Sequence, residues 1–120
     1  MNAKRRILVV DDDASIRTLV KIVLERAGYD VTTARDGREA IALLAASDYD
    51  VVLLDVIMPH VSGLVVVDEL RRNHTAVLAH TYLLTGADSA SLVDLPVRGI
   101  IAKPFDFTSL LAEAKDCIGH

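Results

Sequence analysis

The chain has 120 residues, of which 52% are hydrophobic, so it is long enough to bury one core and too short for two. Its net charge of −4 argues against direct binding to nucleic acid, because contact with phosphates needs a basic face. The single cysteine excludes a disulfide framework, and the sequence has neither a signal-peptide pattern nor an apolar stretch that could span a bilayer. We therefore predict one domain over residues 1–120 that is cytoplasmic and has neither nucleic acid nor a membrane as a direct partner.

The N-terminal part of the chain begins with a strand and a helix. Ile7–Val10 is a continuous apolar run, which is typical of a parallel strand buried on both faces. A helix is predicted from Ala14 to Ala27, with Gly28 as its stop, because apolar residues recur there at helical spacing. This stripe consists of Ile16, Leu19, Val20, Val23, Leu24 and Ala27.

The next segments continue the alternation of strands and helices. A second strand is predicted from Tyr29 to Ala34, and Asp36 with Glu39 has the spacing of a capping box that opens a second helix. The third strand is predicted from Asp50 to Leu54. The order of elements already indicates parallel βαβ units.

A valine-rich segment conflicts with this alternation. Residues 64–67 have high strand propensity, but a crossover between parallel strands is needed here, so a helix is predicted from Gly63 to about Arg72. Its buried stripe is predicted to contain Leu64, Val67 and Leu70. The remaining elements are a strand from about His80 to Leu84, a strand from Gly99 to Ala102 and a helix from Thr108 to Cys117. The fold class is therefore α/β, a doubly wound five-stranded parallel sheet with helices on both faces.

Polar side chains follow the predicted strands at one edge of this sheet. Asp11 and Asp12 follow the first strand, Asp55 the third, Thr85 the fourth and Lys103 the fifth. In an open α/β sheet the reactive crevice lies beyond the carboxyl ends of the strands. Three carboxylates at that edge repel one another unless a hard divalent cation lies among them. A nucleophilic carboxylate, a metal, a lysine and a hydroxyl together supply the roles that phosphoryl transfer requires.

With these residues, the chain resembles the response regulator receiver domains of two-component phosphorelays. The matching residues, an ordered set that runs over nearly the whole chain, are Ile7–Asp12, Leu53–Pro59, Gly63, Thr85 and Lys103–Phe105. The resemblance implies the flavodoxin-like strand order 2-1-3-4-5. It also implies that Asp55 accepts a phosphoryl group from a sensor histidine kinase or a histidine phosphotransfer protein.

The resemblance also implies the roles of the other site residues. Mg²⁺, or Mn²⁺ in its place, would be held by Asp12, Asp55 and the main-chain carbonyl of Ile57, with Asp11 acting through water. Lys103 would contact the phosphoryl oxygen, Thr85 would move to bond it, and a cis peptide would precede Pro104. The partners implied are the phosphodonor and a downstream protein or fused output domain, with the chain itself a monomer or weak dimer.

Three features depart from the family pattern. Ile100 occupies a position that is aromatic in many receivers, so a ring flip there is excluded. The segment between Thr85 and Lys103 is short, which predicts a fourth helix of one to two turns around Ser89–Leu95, or an irregular segment. Ile57 and Ala87 lack polar groups that could position water, which predicts slow hydrolysis of the aspartyl phosphate.

Two other functions stay open at this stage. An Mg²⁺-dependent phosphatase could also use an aspartate nucleophile, but such enzymes generally have a second acid two residues later, where this chain has Ile57. A receiver that binds its partner independently of phosphorylation is the other alternative, because Ile100 and the short fourth crossover alter the output face. The chain could also stand alone or be part of a longer protein.

Overall fold

The computed structural model describes residues 4–58, 62–86 and 95–119. Its five strands are β1 (Arg6–Val10), β2 (Asp30–Ala34), β3 (Val51–Asp55), β4 (Thr81–Thr85) and β5 (Gly99–Ala102). The helices in these ranges are α1 (Ala14–Arg26), α2 (Gly37–Ala46), α3 (Gly63–Asn73), α4 (Thr75–Leu78) and α5 (Phe107–Ile118). Among the described residues, no helix has both the length and the hydropathy that crossing a bilayer requires.

The strands form one parallel sheet in the order β2-β1-β3-β4-β5, which confirms the predicted fold class and strand order. Alternate residues of the strands pack into two separate cores. Leu8 and Leu54 belong to the core that α2, α3 and α4 cover, whereas Ile7 and Leu53 belong to the core that α1 and α5 cover. Both faces of the central strands are buried, which explains why their sequences are continuously apolar.

The ends of two strands lie one residue beyond their predicted positions. β3 includes Asp55 and β4 includes Thr85, because Asp55 pairs with Leu84 and Thr85 pairs with Ala102 in the sheet register. The two polar residues are therefore held by the sheet itself rather than by a flexible turn. This difference makes their positions more rigid than the sequence alone indicated.

The predicted buried stripe of α3 was right for Val67 and Leu70 and wrong for Leu64. The residues that α3 buries are Gly63, Val66, Val67 and Leu70, whereas Leu64 is 42% exposed. Gly63 packs directly against the end of β3, and the helical repeat then turns Val66, Val67 and Leu70 toward the sheet. In α1 the predicted stripe was too wide, because Leu19 is 49% exposed and only Val20 and Leu24 are fully buried.

Two further differences concern the crossover segments. The four-residue helix α4, which buries Leu78, was not predicted and lies before β4. The predicted fourth helix around Ser89–Leu95 lies outside the described residues except for Leu95, which is half-buried against the core beneath α2 and α3. Ile100 is half-buried and packs against the same core.

Candidate functional site

The three predicted carboxylates meet at the carboxyl edge of the sheet. Side-chain oxygens of Asp11, Asp12 and Asp55 all lie within 4.8 Å of one another. Asp11 and Asp55 are buried, with exposures of 0% and 4%, whereas Asp12 is exposed to solvent. The difference arises because Asp11 still pairs with β2 through its backbone N–H, which donates to the Ala34 carbonyl at 3.1 Å. Asp12 follows in the turn and faces solvent.

Lys103 supplies the positive charge of this cluster. Its Nζ lies 2.8 Å from Asp11 Oδ2 and 3.3 Å from Asp55 Oδ2. The peptide bond between Lys103 and Pro104 is cis, as the resemblance implied, and the Lys103 backbone N–H donates to the Thr85 carbonyl at 2.8 Å. Burial alone would lower the pKa of Lys103, but the hydrogen bond to Asp11 and the charges of Asp11 and Asp55 raise it. The ammonium group therefore stays charged at neutral pH.

The carboxyl group of Asp55 is harder to ionise than that of an ordinary aspartate. Burial and the negative charge of Asp11 together raise its pKa to about 6, because the attraction of Lys103 offsets only part of their effect. The Ile57 backbone N–H stabilises the carboxylate by donating to Asp55 Oδ1 at 3.3 Å. Two buried carboxylates thus share one ammonium group, and the cluster retains negative charge that a divalent cation would neutralise.

The turn between β1 and α1 holds Asp11 by all three of its oxygens. Asp11 Oδ1 accepts from the Asp13 backbone N–H at 2.9 Å, Oδ2 accepts from Lys103, and the main-chain carbonyl accepts from Arg17 Nη1 at 2.7 Å. Asp13 caps α1 by accepting from the backbone N–H groups of Ser15 and Ile16, as the position of an aspartate directly before a helix predicts. The sequence prediction did not include Arg17, although an arginine one turn into α1 is placed to reach the end of β1.

Gly63 marks a close approach between α3 and the end of β3. A Cβ atom on Gly63 would lie 2.3 Å from the main-chain oxygen of Asp55, which no side chain could occupy. The Gly63 backbone N–H also donates to the Val56 carbonyl at 2.9 Å. Glycine is therefore required here to allow α3 to support the segment that carries Asp55.

The other predicted residues lie at the same edge. Thr85 is buried at the end of β4, next to the strand that leads into Lys103. Ile57 lies two residues after Asp55, and its side chain is 66% exposed. The structure thus brings Asp11, Asp12, Asp55 and Lys103 together, with Thr85 and Ile57 at the carboxyl ends of the adjacent strands.

The donor set fits a hard divalent cation. In the part of the chain that the structure describes, these aspartates form the one group of three acidic, histidine or cysteine residues close enough to share a metal ion. All of their ligand atoms are oxygens, which Mg²⁺ and Mn²⁺ prefer over softer metals.

An apolar surface adjoins the cluster on the side of α1. A cavity of about 370 Å³ is lined by Ile16, Lys103, Pro104, Phe105 and Phe107. The rings of Phe105 and Phe107 pack edge to face with their centroids 5.9 Å apart. The charged head of Lys103 therefore separates a buried acidic site from an open apolar cavity.

Comparisons with known proteins identify the sequences to which this chain is similar. A family model described as the response regulator receiver domain matches residues 7–115. The chain is 37% identical over 114 residues to the DNA-binding dual master transcriptional regulator RpaA of Synechocystis, covering 92% of this chain and 47% of that protein. It is 40% identical over 114 residues to response regulator MprA of Mycolicibacterium vanbaalenii, covering 92% of this chain and 48% of that protein. The chain spans about half the length of these curated relatives.

Two solved structures have the same fold over almost their full length. The chemotaxis protein CheY4 of Vibrio cholerae superposes with a TM-score of 0.87 at 34% identity, covering 96% of this chain and 99% of that chain. The response regulator TrrA of Thermotoga maritima, solved in complex with Mg²⁺ and BeF, has a TM-score of 0.84 at 36% identity, covering 94% of this chain and 98% of that chain.

Proposed function

Because this chain belongs to the family of response regulator receiver domains, we propose that Asp55 accepts a phosphoryl group from a sensor histidine kinase or a histidine phosphotransfer protein. The observation that carries the proposal is the shared contact of Lys103 Nζ with Asp11 at 2.8 Å and Asp55 at 3.3 Å, beside the exposed carboxylate of Asp12. Receiver domains are signalling domains and in general are not enzymes. We also propose that this chain acts in the cytoplasm.

The transfer step needs an ionised Asp55. A carboxylate oxygen of Asp55 forms a bond to phosphorus while the bond between phosphorus and the donor imidazole nitrogen breaks, and the imidazole leaves with the bonding electron pair. The pKa of Asp55, raised to about 6 by burial and by Asp11, still leaves most of the group ionised at pH 7. Lys103 is placed to neutralise a phosphoryl oxygen when the group arrives.

Mg²⁺ would be held by Asp12, Asp55 and the main-chain carbonyl of Ile57, and when bound it would neutralise charge on the transferring phosphoryl oxygens. Asp11 would act through water, as the resemblance to the family implies, while its carboxylate oxygens accept hydrogen bonds from Asp13 and Lys103. The Thermotoga relative was solved in complex with Mg²⁺ and BeF, which supports a Mg²⁺ site in this chain.

The phosphodonor is proposed to dock on the apolar surface beside Lys103. Ile16 lines the cavity there, and Leu19 and Ile22 follow at successive spacings of three residues on α1 with exposures of 49% and 41%. An amphipathic helix of the donor could cover these side chains while its phosphohistidine reaches Asp55. An exposed apolar patch of this kind is a recognised mark of a protein interaction site.

The output of the chain is proposed to be a phosphorylation-controlled interaction with a downstream protein or a fused output domain. Thr85 would bond the phosphoryl group, and Ile100, which packs against the core beneath α2 and α3, would repack without the ring flip that an aromatic residue allows. The receiver itself makes no contact with nucleic acid in this proposal. DNA binding in relatives such as RpaA would reside in the half of the protein that this chain does not match.

The test is the intact mass of the protein after incubation with acetyl phosphate, with and without Mg²⁺. One phosphoryl group should be added in the presence of Mg²⁺, lost in Asp55→Asn and strongly reduced in Asp12→Asn. No added mass from acetyl phosphate or from a phosphorylated histidine protein would refute the assignment of Asp55. Binding to a downstream partner that is equal before and after modification would instead favour the phosphorylation-independent alternative.

The docking surface has its own matched test. Leu19→Glu should slow transfer from a histidine phosphodonor and leave phosphorylation by acetyl phosphate unchanged. Leu64→Glu is the control, because Leu64 is similarly exposed at 42% but lies on α3 rather than α1. Equal effects of the two substitutions on transfer would argue against docking on α1.

A further inference from the structure

Arg17 binds the main chain of the site rather than one of its carboxylates. Its Nη1 donates to the Asp11 carbonyl oxygen at 2.7 Å, and the side chain is half-buried. Although it lies beside an acidic cluster, its guanidinium forms no ion pair with any residue that the structure describes. Among the described residues, Lys103 alone forms ion pairs with Asp11 and Asp55.

This contact fixes the point from which two carboxylates project. The Asp11 carbonyl lies where the chain leaves β1, and Asp12 follows directly. The preceding N–H of Asp11 is held by Ala34, and Oδ1 of Asp11 is held by Asp13. Without Arg17, the peptide group between Asp11 and Asp12 would lose this bond from the protein and could rotate, and the orientation of the exposed Asp12 would follow it.

We infer that Arg17 is a positioning residue for the divalent-cation site: by holding the Asp11 carbonyl, it orients Asp11 and Asp12 for the metal. The inference rests on the proposed Mg²⁺ site. The arginine affects the affinity of the site for Mg²⁺ in two opposite ways. Its positive charge alone disfavours a nearby cation, whereas its hydrogen bond pre-organises the ligands, and ligand orientation by neighbouring groups is a strong determinant of metal affinity. Whether the Mg²⁺ affinity falls or rises when Arg17 is replaced therefore shows which of the two effects dominates.

The experiment measures Mg²⁺ affinity by isothermal titration calorimetry for the wild type, Arg17→Ala, Arg17→Lys and Arg26→Ala. Arg17→Ala should weaken Mg²⁺ binding by roughly three- to tenfold. Arg17→Lys should recover part of this loss, because an ammonium group can also donate to a carbonyl. Arg26→Ala is the control for charge, since Arg26 lies in the last turn of the same helix, and it should leave the affinity unchanged.

A second readout needs no metal. In the presence of EDTA, the Asp13 amide should exchange its hydrogen faster in Arg17→Ala than in the wild type, because its acceptor is the carboxylate of Asp11. A residue that merely stabilises α1 would lower the melting temperature without changing Mg²⁺ affinity once the variant is folded.

The outcomes distinguish this inference from the function on which it rests. If the wild type fails to bind Mg²⁺, both are overturned. If the wild type binds Mg²⁺ but Arg17→Ala binds it equally well or more tightly, the positioning role alone is overturned.

Discussion

Asp55→Asn should stabilise the metal-free protein, and the gain should depend on pH. The pKa of Asp55 is raised from 3.8 to about 6, first by burial and then by the charge of Asp11. A raised pKa means that the folded state tolerates the protonated form better than the ionised one. The penalty on the wild type is therefore small below about pH 4, and the wild type loses stability as pH rises from about 4 through 6. Asparagine has a similar shape but cannot ionise.

The magnitude follows from the shift. A change from 3.8 to about 6 corresponds to about 3 kcal/mol of unfolding free energy at pH 7, at about 1.4 kcal/mol per pH unit. The gain from Asp55→Asn should fall to roughly half of this at pH 5 and to little at pH 4. The assay is urea unfolding in EDTA at these three pH values. The difference in urea midpoint between variant and wild type, multiplied by their common m-value, gives the difference in unfolding free energy.

Asp106→Asn provides a control of opposite sign. Asp106 caps α5, and hydrogen bonds from the backbone N–H and hydroxyl of Ser109 lower its pKa. Its carboxylate therefore stabilises the fold above its ordinary pKa, and this contribution is lost as pH falls. Asp106→Asn should be less stable than the wild type at pH 7, with a difference that shrinks toward pH 3.

The refuting result for Asp55 is a gain that is equal at pH 4 and pH 7, or a loss of stability at pH 7. Mg²⁺ adds a second check. Saturating cation should stabilise the wild type, by about 2.7 kcal/mol at a hundred times the dissociation constant. It should stabilise Asp55→Asn by less, since one ligand has lost its charge, and the stability advantage of the variant should narrow.

Three further predictions concern neighbouring residues. Lys103→Met should lower the unfolding free energy at pH 7 by about 2–4 kcal/mol, because two buried carboxylates lose their shared ammonium group. Urea unfolding should show a smaller loss of unfolding free energy at pH 5. An equal loss at both pH values would contradict this prediction. Gly63→Ala should lower the unfolding free energy by about 1–3 kcal/mol, because the added Cβ would lie 2.3 Å from the main-chain oxygen of Asp55. Gly86→Ala is the control and should leave the unfolding free energy nearly unchanged, because the nearest atom to its Cβ would be 3.8 Å away. Ile57→Asn should shorten the half-life of phosphorylated protein after donor removal at least several-fold, because an amide can orient water; an unchanged half-life would remove Ile57 from the control of lifetime.

The sequence by itself determined the architecture and which polar residues meet at the carboxyl edge of the sheet. Continuous apolar strands alternating with helices can bury both faces only in a parallel sheet, and strand ends in such a sheet share one edge. Asp11, Asp12, Asp55, Thr85 and Lys103 were each predicted at that edge because each follows an apolar run. The N-cap role of Asp13 needed only its position before the helix.

The phase of the helices was decided by tertiary packing. Leu64 and Val67 both suit a core, and the pattern of α3 alone gave no reason to prefer Val66 over Leu64. The close approach of Gly63 to the Asp55 oxygen fixes how α3 lies against β3 and so selects the face that is buried. A stripe read from one helix cannot contain this information, because the contact joins two segments of the chain.

The unequal environments of the site residues were also decided by the tertiary structure. Asp11 and Asp12 are identical neighbours in sequence, yet pairing with β2 holds Asp11 inside while Asp12 faces solvent. The pKa of Asp55 and the bond from Arg17 to the Asp11 carbonyl depend on distances between residues from different elements. Electrostatic coupling falls off with distance and depends on burial, so it is set only when the chain has folded.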